Sequence, residues 1–179
     1  MVKKKGTLSG NYENEYAIIG IACHLKYYRV AHFMNKISNF NFTRYDDLMV
    51  YQKNNDNPLG FPFYYFNDIE SYTTFHLIAN RSLDGIMVNE WKQMDYLLIT
   101  FGATQNINMK SIMKQIRKIP SMLAVSEMPL TKKPDIENLM TDLELHLIEI
   151  SKKEKEEDKK IINKLKTNRY NYLFKNQAI

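Results

Sequence analysis

The apolar positions of the first fifty residues change from the spacing of a strand to that of a helix. Residues 16–22 form a short run rich in β-branched side chains, which is typical of a buried strand. From His24 to Ile37 the apolar residues recur every three or four positions, which predicts a helix with one apolar face. A second strand is predicted over Thr43–Gln52. The Asn- and Pro-rich segment 54–58 should end it.

The next forty residues predict a hairpin and a tight turn. Phe61–Phe66 and Tyr72–Ala79 have the composition of strands, and the five residues between them suit an antiparallel connection. Asp84 and Gly85 then form a turn signal, because Gly adopts positive φ without steric cost. A short extended segment, Ile86–Val88, should follow the turn.

The pattern then predicts a strand, a short helix and another strand. Leu97–Phe101 is almost continuously apolar, as expected of a strand covered on both faces. Asn106 or Asn108 can cap a helix that ends before Pro120 and has apolar residues at 109, 112, 113 and 116. Met122–Glu127 is the predicted last strand.

A long helix is predicted beyond Pro134, extending to about Lys166. Its first half has an apolar stripe, whereas residues 151–160 are almost wholly charged and should be solvated. The chain therefore divides into a flexible basic N-terminus (1–14), a single α+β domain (15–130) and a C-terminal helical extension with a tail (131–179).

The predicted fold class is α+β, with the order β-α-β-β-β-β-α-β followed by the long C-terminal helix. Two helices should lie on one face of a mostly antiparallel sheet, an arrangement shared with ferredoxin-like and ACT-like domains. The other face also needs a cover, because aromatic residues occupy both sides of the Phe61–Phe66 strand. Dimerisation through that face or the C-terminal helix would supply the cover.

Composition and charge narrow the classes of function. The net charge is +5, but residues 7–130 hold eleven basic and eleven acidic side chains, so the excess lies in the two ends. A nucleic-acid groove would place that excess on the folded domain. The single cysteine predicts a reducing, cytoplasmic location. The longest apolar run is well short of the ~20 residues of a membrane helix, so no membrane association is expected.

No catalytic constellation is evident in the sequence. It has no pair of cysteines or HExxH helix that would bind a metal, and no glycine-rich loop that would bind a nucleotide. We therefore expect no metal, no cofactor and no enzymatic activity.

Two groups of residues are candidate sites for binding. The first is a predicted interaction or ligand site, in which an exposed Trp91 would anchor a partner and an arginine would hold an anion. Its carboxylates have a structural alternative, since Glu90 can cap or pair with a backbone amide and Asp95 can pair with a basic residue such as Arg29 or Arg44. The members of this first group are Arg29, Arg44, Glu90, Trp91, Asp95 and Tyr96.

The second group lies on the predicted short helix, opposite its apolar stripe. It contains Lys110, Lys114, Arg117 and Lys118. These residues form either a patch for an anion or nucleic acid, or an ordinary solvated helix face.

The segment around Trp91 resembles the signature of the IPExxxVDY family. Glu90, Asp95 and Tyr96 occupy the motif's Glu, Asp and Tyr, Val88 stands for its Ile and Met94 for its Val, whereas Asn89 replaces its Pro. The segments His24–Val30 with Asn35, Thr43–Leu48 and Ile119–Pro120 are similar to other parts of the family's pattern, so the resemblance spans about residues 15–128. The family is named for its motif, so the resemblance implies a fold and little chemistry.

These observations predict a non-enzymatic binding or assembly module that self-associates and contacts an unknown protein partner. Two alternatives remain open. One is an RNA- or ribosome-associated protein that uses the basic ends and the Lys110–Lys118 helix. The other is an ACT-like sensor of a small ligand, with an anion held near Arg29 or Arg44.

Overall fold

The structure is a computed structural model that describes residues 16–37, 40–51, 57–83, 85–129 and 134–175, with the side chains of the last helix described from 136 to 165. The predicted basic N-terminus (1–14) lies outside the described residues. The elements are β1 (Tyr16–Cys23), α1 (Tyr27–Ile37), β2 (Thr43–Arg44), β3 (Leu48–Val50), β4 (Leu59–Phe61), β5 (Phe63–Asp68), β6 (Thr73–Ala79), β7 (Tyr96–Gly102), α2 (Met109–Ile116), β8 (Met122–Met128) and α3 (Pro134–Lys175).

Six strands form one sheet in the order β2-β5-β6-β7-β1-β8, and every neighbouring pair is antiparallel. Because β1 lies between β7 and β8, those two strands run parallel to each other and α2 connects them. In the same way β1 and β6 are parallel, with β7 between them. Two such split βαβ units form the arrangement of ferredoxin-like domains. The predicted α+β class with a mostly antiparallel sheet is therefore confirmed.

The helices α1 and α2 cover one face of the sheet, as the apolar spacing predicted. Val30 and Met34 of α1 and Ile116 of α2 pack against side chains such as Ile21 and Leu98. The Asn108 side chain caps α2 by accepting a hydrogen bond from the backbone N–H of Ser111 at 3.0 Å. Of the two possible capping asparagines, Asn108 is the one observed.

The helix α3 covers the other face of the sheet. Its residues Ile136, Leu139 and Leu143 are almost fully buried, in one apolar cluster with Ile18 of β1 and Ile99 of β7. The two-stranded sheet of β3 and β4 joins the same cluster. Of the two covers that the sequence allows for this face, the structure shows the C-terminal helix.

Three predicted boundaries are wrong. Thr43–Gln52 is not one strand, because β2 pairs with β5 whereas β3 turns away to pair with β4. The Phe61–Phe66 strand divides at Pro62, which has no N–H to donate to a strand ladder. The last helix continues to Lys175 rather than ending near Lys166.

Two histidines meet between the sheet and α3. His76 of β6 is completely buried, and its ring is nearly parallel to those of Phe63 and Tyr65, at centroid distances of 5.9 and 5.6 Å. His146 of α3 meets the Phe63 ring edge-on at 4.8 Å. Within the part of the chain that the structure describes, three of their ring nitrogens have no hydrogen-bond partner: both nitrogens of His76 and the Nε2 of His146.

Burial lowers the pKa of both imidazoles. The pKa of His76 falls to about 3, through loss of hydration and then repulsion from His146. Loss of hydration also lowers the pKa of His146, against the opposing effects of Glu149 and Asp46 and with a small further lowering from Lys153. The core between the sheet and α3 therefore requires neutral histidines.

We expect acid to destabilise the fold through His76. Its pKa in the folded state lies below the value of about 6.5 in the unfolded chain, so the unfolded chain binds more protons as the pH falls below that value. The free energy of unfolding should then fall by about 1.4 kcal/mol per pH unit, down to the folded pKa. Urea unfolding at pH 7.5 and 5.0 measures this change, and His76→Phe should remove about 2 kcal/mol of it.

The control is His32→Phe, which removes an exposed imidazole from α1. This variant should keep the acid dependence of the wild type. An unchanged pH dependence in His76→Phe would show that His76 is not the group responsible.

Candidate functional site

The Asn80 side chain organises the segment that contains the predicted interaction site. Asn80 is fully buried at the end of β6. Its Nδ2 donates to the carbonyl oxygens of Trp91 and Met94, both at 2.9 Å, and its Oδ1 accepts from the backbone N–H of Val88 at 2.9 Å. The side chain thus binds both ends of the segment 88–94 at one point.

The backbone of Asn80 completes the set. Its N–H donates to the carbonyl of Asp95 at 2.8 Å, and its carbonyl accepts from the N–H of Met87 at 2.9 Å. Sequence reasoning missed this residue. The available signal was an asparagine directly after a strand and shortly before a turn, where its amide can replace missing backbone partners.

Trp91 does not face solvent, contrary to the expectation that it anchors a partner. It lies in a single 3-10 turn, Asn89–Trp91, and its side chain is 2% exposed. It packs in the same cluster as Val88 and Met94, on the face of the sheet that α3 covers. The indole is buried because removing its large apolar surface from water stabilises the fold, and exposing it at the turn would lose that stabilisation.

Met94 fixes the position of this turn on β1. A Cβ atom at Gly20 of β1 would lie 2.8 Å from the Met94 Cγ and 2.7 Å from the Met128 Sδ. Only a residue without a side chain leaves room there for both methionines. The segment that carries the signature is therefore packed into the core.

Asp95 has a structural role. Its Oδ2 accepts from the N–H of Cys23 at 2.9 Å, and its Oδ1 lies 3.3 Å from the Nε of Arg81. Arg81 also donates to the carbonyl of Lys92. The expected arginine partner of Asp95 exists, but it is Arg81 rather than Arg29 or Arg44. The carboxylate therefore joins the end of β1 to the turn before β7.

Tyr96, the residue after Asp95, also has a structural role. The Tyr96 hydroxyl donates to the carbonyl of Leu25 at 2.6 Å, and burial raises the pKa of this phenol. Burial also raises the pKa of the Cys23 thiol, with a smaller contribution from Asp95. A raised thiol pKa disfavours the thiolate that nucleophilic chemistry requires. Glu90, by contrast, is exposed on the outer side of the 3-10 turn.

The two predicted arginines lie at another edge of the domain. The Arg44 guanidinium pairs with Asp47, donates to the carbonyl of Phe63 at 3.1 Å and lies over the rings of Tyr27 and Tyr64. Arg29 is exposed on α1, with its guanidinium 6.0 Å from the Phe33 ring centroid. Arg44 thus fastens β2 to β5 and to α1.

The predicted basic patch is on the surface. Lys110, Lys114, Arg117 and Lys118 are all exposed, the first two on α2 and the others just after it. Arg117 has a structural contact, because its guanidinium donates to the carbonyl of Val125 at 2.6 Å. The three lysines remain as the charged surface of this group.

The geometry of the predicted interaction site is that of a structural turn. Its buried polar groups bond to backbone atoms, and its tryptophan fills the core. Within the described ranges, no three His, Cys, Asp or Glu side chains are grouped so that they could hold a metal ion. Over the same ranges, no helix has both the length and the apolar character needed to cross a membrane.

Asn80→Asp should destabilise the protein by about 3 kcal/mol. The substitution preserves shape but replaces two donors with a carboxylate oxygen that faces the carbonyls of Trp91 and Met94. Urea unfolding followed by the fluorescence of Trp91, the single tryptophan, measures the loss.

The matched control is Asn67→Asp, at an exposed position of β5. It introduces the same charge and should change the stability by no more than about 0.5 kcal/mol. Equal effects of the two substitutions would contradict the central role of the Asn80 amide.

Comparison with known proteins gives no match to a family model, to a curated protein or to a solved structure. The resemblance to the IPExxxVDY family consequently stays a prediction from the residues of the motif.

Proposed function

We propose that this chain is a non-enzymatic assembly module that forms a homodimer through the projecting part of α3. The proposal is supported by the length of that helix. Among its side chains described from 136 to 165, the buried positions end at Ile150; beyond it, Lys153 pairs with Asp46 and Glu154 accepts a 2.6 Å hydrogen bond from the Tyr45 hydroxyl. We call residues 155–175 the arm; at 1.5 Å per residue it is about 30 Å long.

The arm presents apolar side chains to solvent. Every side chain from Lys155 to Leu165 is exposed, and Ile161, Ile162 and Leu165 are 57%, 49% and 63% exposed. A helix without tertiary packing is only marginally stable in water. Pairing with a second helix would bury these three side chains and stabilise the arm.

The charges of the arm favour a second copy of this chain as the partner. Residues 154–158 hold four acids and one lysine, whereas residues 159–166 hold four lysines and no acid. Two arms packed antiparallel, with a two-fold axis near Ile161, place the acidic segment of each copy beside the basic segment of the other. A parallel pair would align like charges. The sequence of the arm is thus complementary to itself, as a symmetric dimer requires.

The triple substitution of Ile161, Ile162 and Leu165 by Ala should shift the chain from dimer to monomer. Ala keeps the helix propensity and removes the apolar contact. Because the apolar centre is small, we expect a wild-type dissociation constant in the micromolar range. Sedimentation velocity over a range of protein concentrations measures it, and the triple variant should be monomeric throughout.

Leu123→Ala is the matched control. Leu123 is 62% exposed, a fraction similar to that of Leu165, but it lies on the edge strand β8. The variant therefore also reports on dimerisation through that edge. This variant should dimerise like the wild type. A monomeric wild type at 100 µM, or dimer loss in Leu123→Ala only, would refute the proposal.

Reversing charges tests the antiparallel arrangement. Glu156→Lys with Glu157→Lys should abolish the dimer by placing like charges opposite each other. Adding Lys160→Glu and Lys164→Glu in the same chain should recover part of the dimer, because residues 159–166 then lose their net positive charge and no longer repel the reversed segment. Exposed ion pairs are screened by salt, so the dimer should also weaken between 50 mM and 500 mM salt.

RNA association is the second candidate, favoured by one observation. Residues 105–120 include the exposed Lys110, Lys114 and Lys118 and contain no acidic residue. This candidate predicts a gel shift with RNA at low salt that weakens steeply as salt is added. Changing the three lysines to Glu should abolish the shift, and an unchanged shift would show that binding, if any, lies elsewhere.

An anion held at Arg29 or Arg44 has less support. Asp47 and the carbonyl of Phe63 already occupy the Arg44 guanidinium. An unknown protein partner and a cytoplasmic location remain predictions from the sequence.

A further inference from the structure

An open groove of about 410 Å³ lies on the side of the sheet that α1 and α2 cover. It is bounded by the end of α1, by the turn between β5 and β6, and by α2 with the residues just before it. Its volume lies within the range of about 300–1,000 Å³ that is usual for small-molecule sites. The groove is separate from the arm, from the Asn80 turn and from both predicted arginines.

We infer that this groove binds a small organic cation, namely an amine attached to a flat aromatic or apolar body. The inference rests on the pairing of an aromatic cluster with one fixed carboxylate. It concerns a surface that the proposed dimerisation does not use.

Three phenylalanines supply the aromatic part of the groove. Phe40 and Phe75 are nearly buried and meet at a centroid distance of 4.9 Å, forming the floor. Phe66 is partly exposed and stacks on Phe75 at 5.9 Å with an interplanar angle of 21°. A flat ring can continue this stacked arrangement, and the π face of Phe66 also attracts a cation.

Asp68 supplies the charge. It follows Phe66 by two positions in β5, so both side chains lie on the same face of the strand. Its carboxylate is held by the Ser71 hydroxyl, which donates to Oδ2 at 2.6 Å, and by the backbone N–H of Glu70, which donates to Oδ1 at 3.2 Å. Each oxygen can accept a further hydrogen bond.

The remaining lining adds no charged side chain to Asp68. Among the described residues that line the groove, Asp68 is the only charged one. The α2 side contributes neutral groups, including the Asn108 amide and the Ser111 hydroxyl. A bound ammonium would therefore meet one carboxylate and no competing positive side chain.

Three ring compounds that differ in charge test the proposal: 2-phenylethylamine, 2-phenylethanol and 3-phenylpropionate. Amide chemical-shift titration of the full chain locates and measures binding. We expect the amine to bind with a dissociation constant of about 1 mM, a reasonable value for so small a ligand. The alcohol should bind about tenfold more weakly, and the carboxylate should not bind.

Asp68→Asn is the decisive variant, because Asn keeps an oxygen that can still organise the turn. It should reduce amine affinity about tenfold, to the level of the alcohol, and leave alcohol affinity unchanged. Phe66→Leu should weaken both ligands. Glu70→Gln, the control, makes the same charge change at an exposed position that does not line the groove, and it should bind the amine like the wild type.

Several outcomes would overturn the inference. They are no shift by the amine at 10 mM, equal affinity for all three compounds, shifts located away from Phe66 and Asp68, or equal effects of Asp68→Asn and Glu70→Gln. Each variant is first checked for an unchanged melting temperature, and 2-phenylethanol binding to Asp68→Asn separates a lost charge from a lost fold. None of these results depends on whether the arm dimerises.

Discussion

The hydrogen bonds of one buried amide hold the central part of this molecule together. Asn80 joins the end of β6, the turn that contains Trp91 and the start of β7. An unpaired polar group at this depth would cost more than a typical bond contributes, so all its partners must be present together. The turn can then place Trp91 and Met94 in the core beneath α3. The register between β6 and β7 and the packing of the second sheet face thus depend on the same contacts.

The two faces of the sheet are stabilised in different ways. The face that α1 and α2 cover is packed with aliphatic and aromatic side chains, and each of these helices lies between two strands in the sequence. The other face is completed by α3, which follows all the strands in the sequence, and it includes His76 and His146. That face combines a large apolar gain with buried nitrogens that lack partners in the described part of the chain. It is therefore the part of the core most sensitive to acid.

The pattern of apolar residues predicted the fold class because burial of those residues controls it. The three- and four-residue spacing is clear in α1 and α2, and the continuous apolar run is clear in β7. Pairing between distant segments was not predictable in the same way. The division at Pro62 and the separate β3–β4 pair depend on which strand offers free backbone groups. At the candidate site, the arginine that meets Asp95 was predicted by type but not by position. Asn80 was missed because its partners are backbone atoms, which leave no side-chain pattern in the sequence.

The position of α3 after all the strands has a consequence for synthesis. The strand β1 precedes the other strands in the chain, whereas the helix that covers Ile18 and Ile99 follows all of them. Domains generally form from the N-terminal side as the chain leaves the ribosome. Here a nascent sheet with α1 and α2 in place would still expose one apolar face to water and to other nascent chains. The core is complete only when residues 136–150 have emerged, so the emergence of this segment is also the step that protects the sheet from aggregation.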